Sequence, residues 1–129
     1  MCSEEFRKRL IEEKYLTKWV SKRGTWKWHE DGTVSVTGNV DVKGSMFKLP
    51  VKFRKVNGYF NCASVGLFTL EGCPGTVSQD FYCSWNYITS LEYSPKFVGE
   101  GFWCHSNPHT FTRADVRKVC IVKGNIVES

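Results

Sequence analysis

The chain has 129 residues, of which 41% are hydrophobic and 15% aromatic; this suits one folded domain and argues against a disordered chain. Lys and Arg outnumber Asp and Glu by 18 to 13, but this net charge of +5 is dispersed and indicates a solvated surface more than a nucleic-acid-binding patch. No apolar run approaches the roughly 20 residues of a membrane-spanning helix, and the charged N-terminal segment lacks a signal-peptide pattern, so we expect a cytoplasmic protein.

The first segment is predicted to be an amphipathic helix. Ser3 is a candidate N-cap, and Glu4 and Glu5 follow in the first turn, where the helix dipole favours acidic residues. Apolar residues recur at near-helical spacing on one side of this helix: Phe6, Leu10, Ile11, Leu16, Trp19 and Val20. Gly24 is a suitable stop signal.

Residues 25–38, TWKWHEDGTVSVTG, predict a β-hairpin. The two tryptophans alternate with polar residues, as do the two valines that follow them. The Asp31-Gly32 pair between them suits the positive φ angles of a tight turn. We expect the helix and the hairpin, residues 1–33, to form a cap on whatever follows.

Beyond the hairpin the sequence repeats every 21 residues. Three units begin at Val56, Val77 and Val98: VNGYFNCASVGLFTLEGCPGT, VSQDFYCSWNYITSLEYSPKF and VGEGFWCHSNPHTFTRADVRK. They bring two residue types into register, namely Phe60, Phe81 and Phe102, and Cys62, Cys83 and Cys104. A weaker unit from Val36 fits if one residue is deleted before Met46. Self-similarity at a fixed period predicts stacked structural units.

Each unit has the pattern of a short strand followed by a turn. Phe81 and Cys83 are two residues apart, so their side chains point to the same face of a strand. Asn86 is placed to turn the chain and to bond the backbone of neighbouring units, and Ile88 and Leu91 fill the interior on the return path. One unit cannot bury its apolar face alone, but stacked units share a continuous core.

These units resemble the leucine-rich repeat, L-x-x-L-x-L-x-x-N-x-L-x-x-L, and are most similar to short bacterial units of about 20 to 22 residues. Cysteine at the second strand position and the return segment L-x-x-L-E-G-C-P look like those of small repeat proteins in bacteria and their phages. The match has departures: Val65 stands at one Asn position, and His109 and Thr112 stand at apolar positions of the last unit. Such a unit is typical of the degenerate end of a stack.

The resemblance, which covers residues 34–118, implies an α+β repeat solenoid. It would contain about four leucine-rich-repeat-like units, with a short parallel sheet on one face and irregular returns on the other. The N-terminal amphipathic helix and hairpin would cap it, and residues 119–129 would form a C-terminal strand or tail, all within one globular domain. Repeats of this class are usually scaffolds for recognition.

Stacking places Cys62, Cys83 and Cys104 in a row, about 4.8 Å apart. A thiolate metal site or a redox ladder is one interpretation of this row. We favour the other, in which cysteine is a small hydrophobe between close-packed repeats, because the chain has no C-x-x-C pair and no paired-histidine spacing. Three further cysteines lie off the row and have no predicted role: Cys2, Cys73 and Cys120.

No motif in the sequence predicts catalysis. Cys104 is next to His105, but neighbours on a strand point to opposite faces and so make a poor nucleophile–base pair. There is no paired-carboxylate motif, nucleotide-binding glycine loop or metal motif. We therefore expect a protein that is not an enzyme, with no catalytic residues, no metal site and no cofactor.

The outward face of the predicted strands is the candidate binding site. If the Phe and Cys side chains point inward, the residues between them form an outward row: Asp41, Asn61, Tyr82 and Trp103. One step further along are Lys43, Ala63, Ser84 and His105, with Trp85 nearby. Exposed aromatic side chains of this kind often mark interfaces. We predict a binding site formed by Asp41, Asn61, Tyr82, Trp85, Trp103 and His105; the alternative is that the cap, the C-terminal tail or a second copy covers this face.

The favoured function is a protein-interaction module of a phage or bacterium that acts on a host factor, in the host cytoplasm if phage-encoded. Nucleic-acid binding through stacking aromatics and surface Lys and Arg is the alternative. It ranks second because the basic residues do not concentrate on the aromatic strands. Self-association through the open ends of a solenoid is a third hypothesis, and no membrane partner is expected.

Overall fold

The computed structural model of the protein describes residues 3–128, so Met1, Cys2 and Ser129 lie outside the account that follows. An N-terminal helical segment leads into about four stacked coils, which build two sheets of very short strands. The predicted α+β solenoid is therefore confirmed. Among residues 3–128, no helix has both the length and the apolar character needed to cross a membrane.

The helical segment consists of α1 (Ser3–Ile11), a π-helical turn (Glu12–Leu16) and α2 (Thr17–Trp19). Only the second half of the predicted apolar stripe reaches the core: Leu16 and Trp19 are buried, whereas Phe6 and Leu10 are 55% and 42% exposed. A π-helical turn holds more residues than an α-helical turn, so the side chains before it are rotated relative to those after it. This rotation accounts for the split stripe.

The predicted hairpin is present. Strand β1 (Thr25–Trp28) pairs antiparallel with β2 (Val34–Thr37), and the turn between them contains Gly32 at φ 86°. The indole N–H groups of both tryptophans, Trp26 and Trp28, donate to one carboxylate oxygen of Glu12, at 2.9 and 2.8 Å. These two bonds fasten the helical segment to the hairpin.

Within residues 3–128, nine further strands follow, with one helix near the C-terminal end. The strands are β3 (Val40–Asp41), β4 (Phe53–Asn57), β5 (Phe60–Asn61), β6 (Thr76–Val77), β7 (Phe81–Tyr82), β8 (Phe97–Val98), β9 (Phe102–Trp103), β10 (Ile121–Val122) and β11 (Ile126–Val127); the helix, α3, is Arg113–Val119. One sheet has the order β1-β2-β4-β6-β8-β10, and the other has the order β11-β9-β7-β5-β3. Within these sheets, every pairing except β1 with β2 is parallel.

The second parallel sheet is a feature that the sequence analysis missed. One sheet and irregular returns were predicted, but the valines that begin the units are themselves aligned on neighbouring strands: Val36, Val56, Val77, Val98 and Val122. Four residues after each valine, beyond a corner, comes the residue that begins a strand of the other sheet. Each coil therefore contributes one strand to each sheet.

The interior is organised by the aligned residues of the repeat. Phe60, Phe81 and Phe102 are fully buried, with ring centroids 6.0 and 5.0 Å apart along the column. Burying one such side chain contributes about 1.5–3 kcal/mol. The predicted cysteine row is also confirmed, because all three thiols are buried and the backbone N–H groups of Cys62 and Cys83 bond to the next coil, at 2.9 and 2.8 Å.

Asn86 ties two coils together through its buried side-chain amide. The amide oxygen accepts from the backbone N–H groups of residues 65, 66 and 67, at 3.0–3.2 Å. The amide nitrogen donates to the carbonyl groups of Cys62, Cys83 and Ser84, at 2.9–3.3 Å. Asn107 has the same role one coil later. Val65 replaces this asparagine where the preceding turn, residues 43–45, is exposed.

The last unit departs from the repeat because it contains α3. Phe111 is buried in place of His109 and Thr112, which are both exposed. The Thr112 hydroxyl accepts from the Asp115 N–H and begins α3 with a capping box. Val122 then pairs with Val98, so this coil spans 24 residues (122 − 98) instead of 21.

We predict that Asn86→Ala lowers the free energy of unfolding by about 3–5 kcal/mol, because it leaves several buried backbone groups without partners. Urea denaturation of the wild type and the variant measures the difference. Asn57→Ala is the matched control; Asn57 is exposed, and we expect a change within about 0.5 kcal/mol. Equal losses in the two variants would show that the asparagine bonds do not hold the coils together.

Candidate binding face

The predicted outward row is brought together by the sheet that contains β3, β5, β7 and β9. Asp41 pairs with Asn61, Asn61 with Tyr82, and Tyr82 with Trp103, each on neighbouring parallel strands. All four side chains are half-buried, whereas the residue before each is fully buried. Val127 of β11 pairs with Trp103 and extends the row by one residue. We call Asp41, Asn61, Tyr82 and Trp103 the outer row.

Three aromatic rings form a column on this face, and two of them belong to the outer row. The rings of Tyr82 and Trp103 stack at a centroid distance of 5.6 Å and an angle of 28°. Tyr59, which the sequence analysis did not select, meets Tyr82 edge-to-face at 6.2 Å. It belongs to the corner that precedes β5, so the strand alternation rule gave no reason to place it on this face.

Two carboxylates are fixed next to these rings. Asp41 accepts a 2.5 Å bond from the Tyr59 hydroxyl and a 3.2 Å bond from the amide of Asn61. Asp80, which was also missed, accepts from the Gly101 N–H at 2.7 Å and from the Tyr82 hydroxyl at 3.2 Å. The bond to Asp41 is the main reason why the pKa of Tyr59 rises to about 12. Partial burial and then Asp80 raise the pKa of Tyr82.

Beyond the outer row, the strand alternation ends because the chain enters the left-handed region. Ser64, Trp85 and Ser106 occupy equivalent positions, 21 residues apart, with φ angles of 59°, 57° and 60°. The prediction that Ser84 faces outward is therefore wrong: it is only 4% exposed. Trp85 projects from this corner and is 64% exposed, and half-buried His105 meets its ring edge-on at 6.2 Å.

Trp85 is an unusual residue for its backbone conformation. A left-handed φ costs a non-glycine residue about 1–2 kcal/mol, and bulky residues are rare there. The two equivalent positions carry serine. A strained, largely exposed tryptophan is costly for folding alone, and strain of this kind concentrates at functional sites. These two properties support Trp85 as a candidate binding residue.

A second group of exposed aromatics lies on the return segments of the coils. Phe47, Phe68 and Tyr87 are 77%, 56% and 55% exposed, and their rings follow one another at 5.7 and 5.1 Å. With Met46 and Gly66 they line a groove of about 480 Å³. This group, the return-side ladder, was not predicted, although the 21-residue spacing of Phe47 and Phe68 is visible in the sequence.

The three cysteines of the row are buried and pack in the core. Burial raises the pKa of the Cys83 thiol well above its usual range, and burial raises that of Cys104 to about 11. Thiols held in the protonated form are poor nucleophiles. Among residues 3–128, no three His, Cys, Asp or Glu side chains are grouped so that they could hold a metal ion.

Comparisons of the chain with protein-family models, with curated proteins and with solved structures found no match. The functional assignment therefore depends on the residues of the site itself.

We predict that Trp85→Ser raises the free energy of unfolding by up to about 1 kcal/mol, since serine is what the equivalent positions carry and the left-handed strain falls with the smaller side chain. Thermal denaturation provides the measurement. Tyr87→Ser, at an exposed aromatic outside the left-handed region, is the control and should bring no gain. A loss of more than about 1 kcal/mol for Trp85→Ser would instead make this ring a structural element.

Proposed function

We propose that the protein is a protein-interaction module that binds its partner through the outer row, together with Trp85 and His105, and that it has no catalytic role. The observation that carries this proposal is the partly exposed stack of Tyr82 on Trp103, on a row of parallel strands in continuous register. Tyrosine and tryptophan dominate the energetics of protein interfaces, because they bury large areas while few rotatable bonds become fixed.

The backbone beneath these rings supports the same proposal. The rings project from β7 and β9, whose backbones are paired on both sides, with β5 and β11 as the outer neighbours. Below them, Phe81 and Phe102 are fully buried. A partner that docks here meets side chains already held in place, so little conformational entropy is lost on binding.

We further propose that the coils belong to the short bacterial type of leucine-rich repeat, in a phage or bacterial accessory protein that acts on a host factor in the cytoplasm. The 21-residue unit, the cysteine after each Phe-x pair and the asparagine that bonds adjacent coils support the repeat type. The five cysteines described, Cys62, Cys73, Cys83, Cys104 and Cys120, are free thiols, which suits a reducing compartment.

We expect Tyr82→Ala and Trp103→Ala to abolish capture of the partner while the protein stays folded, because each removes a ring of the stack. Tagged wild type and variants would be used for affinity capture from native lysates of candidate hosts, followed by mass spectrometry. Circular dichroism spectra would verify the fold of each variant.

The matched control for these variants is Phe68→Ala. It removes an equally large, exposed ring from the return-side ladder and leaves the outer row intact. Partner proteins retained by the wild type and by Phe68→Ala, but lost from both outer-row variants, are the expected result. Equal capture by all four proteins would reject the outer row as the binding site.

Nucleic-acid binding remains the second candidate, because the same exposed rings could stack on bases. It predicts that affinity for single-stranded oligonucleotides falls steeply with salt, since Lys and Arg contacts to phosphates release counterions. Fluorescence anisotropy with labelled oligothymidine at several salt concentrations measures this dependence. A flat response, or no binding at low salt, would remove this candidate.

A further inference from the structure

The proposed binding function does not specify the chemistry of the partner. The inference below about that chemistry rests on the proposed function. We infer that the outer face, defined as the outer row with Tyr59 and Asp80, takes an extended segment of a partner protein that is rich in arginine or lysine. Three observations carry this inference: the distribution of charge along the chain, the hydrogen bonding of the carboxylates, and the aromatic column beside them.

The positive charge of the protein avoids the two central coils of this face, which carry Asn61 and Tyr82. Residues 56–95 contain no Lys or Arg and three acids, Glu71, Asp80 and Glu92, so their net charge is −3. The rest of the chain carries 18 basic and 13 − 3 = 10 acidic residues, a net charge of +8. A protein that is basic overall therefore has an acidic middle segment. Acidic partners are repelled from this segment.

Within the described residues, the carboxylates of the face form no ion pair with a basic side chain. Among residues 3–128, the ion pairs are Lys48 with Glu71 and Arg54 with Asp31, both away from this face. Asp41 and Asp80 are instead held by neutral donors, the hydroxyl, amide and backbone N–H groups described above. These bonds orient the carboxylates without neutralising them. After burial and Asp80, the negative charge of exposed Glu100 also contributes to the raised pKa of Tyr82. Lys43, two residues after Asp41, is a basic residue near the β3 edge of the face.

The aromatic column lies beside these carboxylates. Tyr59, Tyr82 and Trp103 run across three strands, with Asp41 near one end and Asp80 bonded to Tyr82. Electron-rich rings attract a cation over their faces, and arginine also stacks on them. Carboxylates beside such rings are the natural acceptors for guanidinium or ammonium groups. The combination fits cationic side chains and disfavours phosphates.

The dimensions of the face fit an extended segment. Five strands about 4.8 Å apart span about 19 Å, which an extended chain covers with about six residues.

The test uses the full chain and a fluorescein-labelled peptide of about eight alternating arginine and glycine residues. The counterpart of alternating glutamate and glycine, and a single-stranded oligothymidine, are the competing probes. Fluorescence anisotropy at low salt compares the wild type with Asp80→Asn and Asp41→Asn. Glu92→Gln is the matched control, because it makes the same charge change at an exposed residue near Tyr93, on the return side.

We expect the arginine peptide to bind, with its affinity about three- to tenfold weaker in each Asp→Asn variant and changed less than about twofold in Glu92→Gln. Binding of the glutamate peptide or the oligothymidine in its place would overturn the inference. So would arginine-peptide binding that is equal in all four proteins. A dimer in sedimentation experiments that Asp80→Asn dissociates would make a second copy the occupant and would overturn it as well.

Failure of this inference is distinguishable from failure of the proposed function. If Tyr82→Ala and Trp103→Ala abolish partner capture while Asp80→Asn leaves it unchanged, the face binds a protein but charge does not select it. If none of these variants affects capture, the outer face is not the docking surface, and the proposed function falls with the inference.

Discussion

Everything in this protein depends on one constraint: successive coils must lie in register, so that like residues meet along the axis of the stack. The column of Phe60, Phe81 and Phe102 satisfies this requirement in the interior, and the parallel ladders satisfy it in the backbone. Asn86 and Asn107 enforce it at the corner, where no strand supplies hydrogen bonds. A slip of one residue would bury the outer row and expose the phenylalanines. The outer face therefore exists only because the core is aligned.

Much of this arrangement could be predicted from the sequence. The 21-residue period predicted the stack, and the Phe-x-Cys spacing predicted which side chains point inward, so Asp41, Asn61, Tyr82 and Trp103 were placed on one face correctly. These predictions succeeded because they rest on repetition. A pattern that recurs in three units identifies inward and outward positions. The alternation within a single two-residue strand could not identify them.

The features that were missed have local causes. A strand of two residues has no alternation to detect, so the sheet formed at the valines, such as Val77 and Val98, was invisible. Ser84 was misplaced because the left-handed turn at Trp85 interrupts the alternation, and a tryptophan gives no hint of that conformation. Tyr59 and Asp80 lie at corners, where neither helical nor strand periodicity applies. The return-side ladder depends on loop geometry, which sequence patterns describe poorly.

The coils differ in length, yet one interval never changes. From the first sheet to the second, the chain always advances four residues: Val36 to Val40, Val56 to Phe60, Val77 to Phe81, Val98 to Phe102 and Val122 to Ile126. The variation, including the whole of α3, is confined to the returns. Insertions can therefore accumulate on one side of the molecule while the opposite surface keeps its spacing. Such a scaffold can acquire new ligands by exchanging single outward residues, with no redesign of its interior.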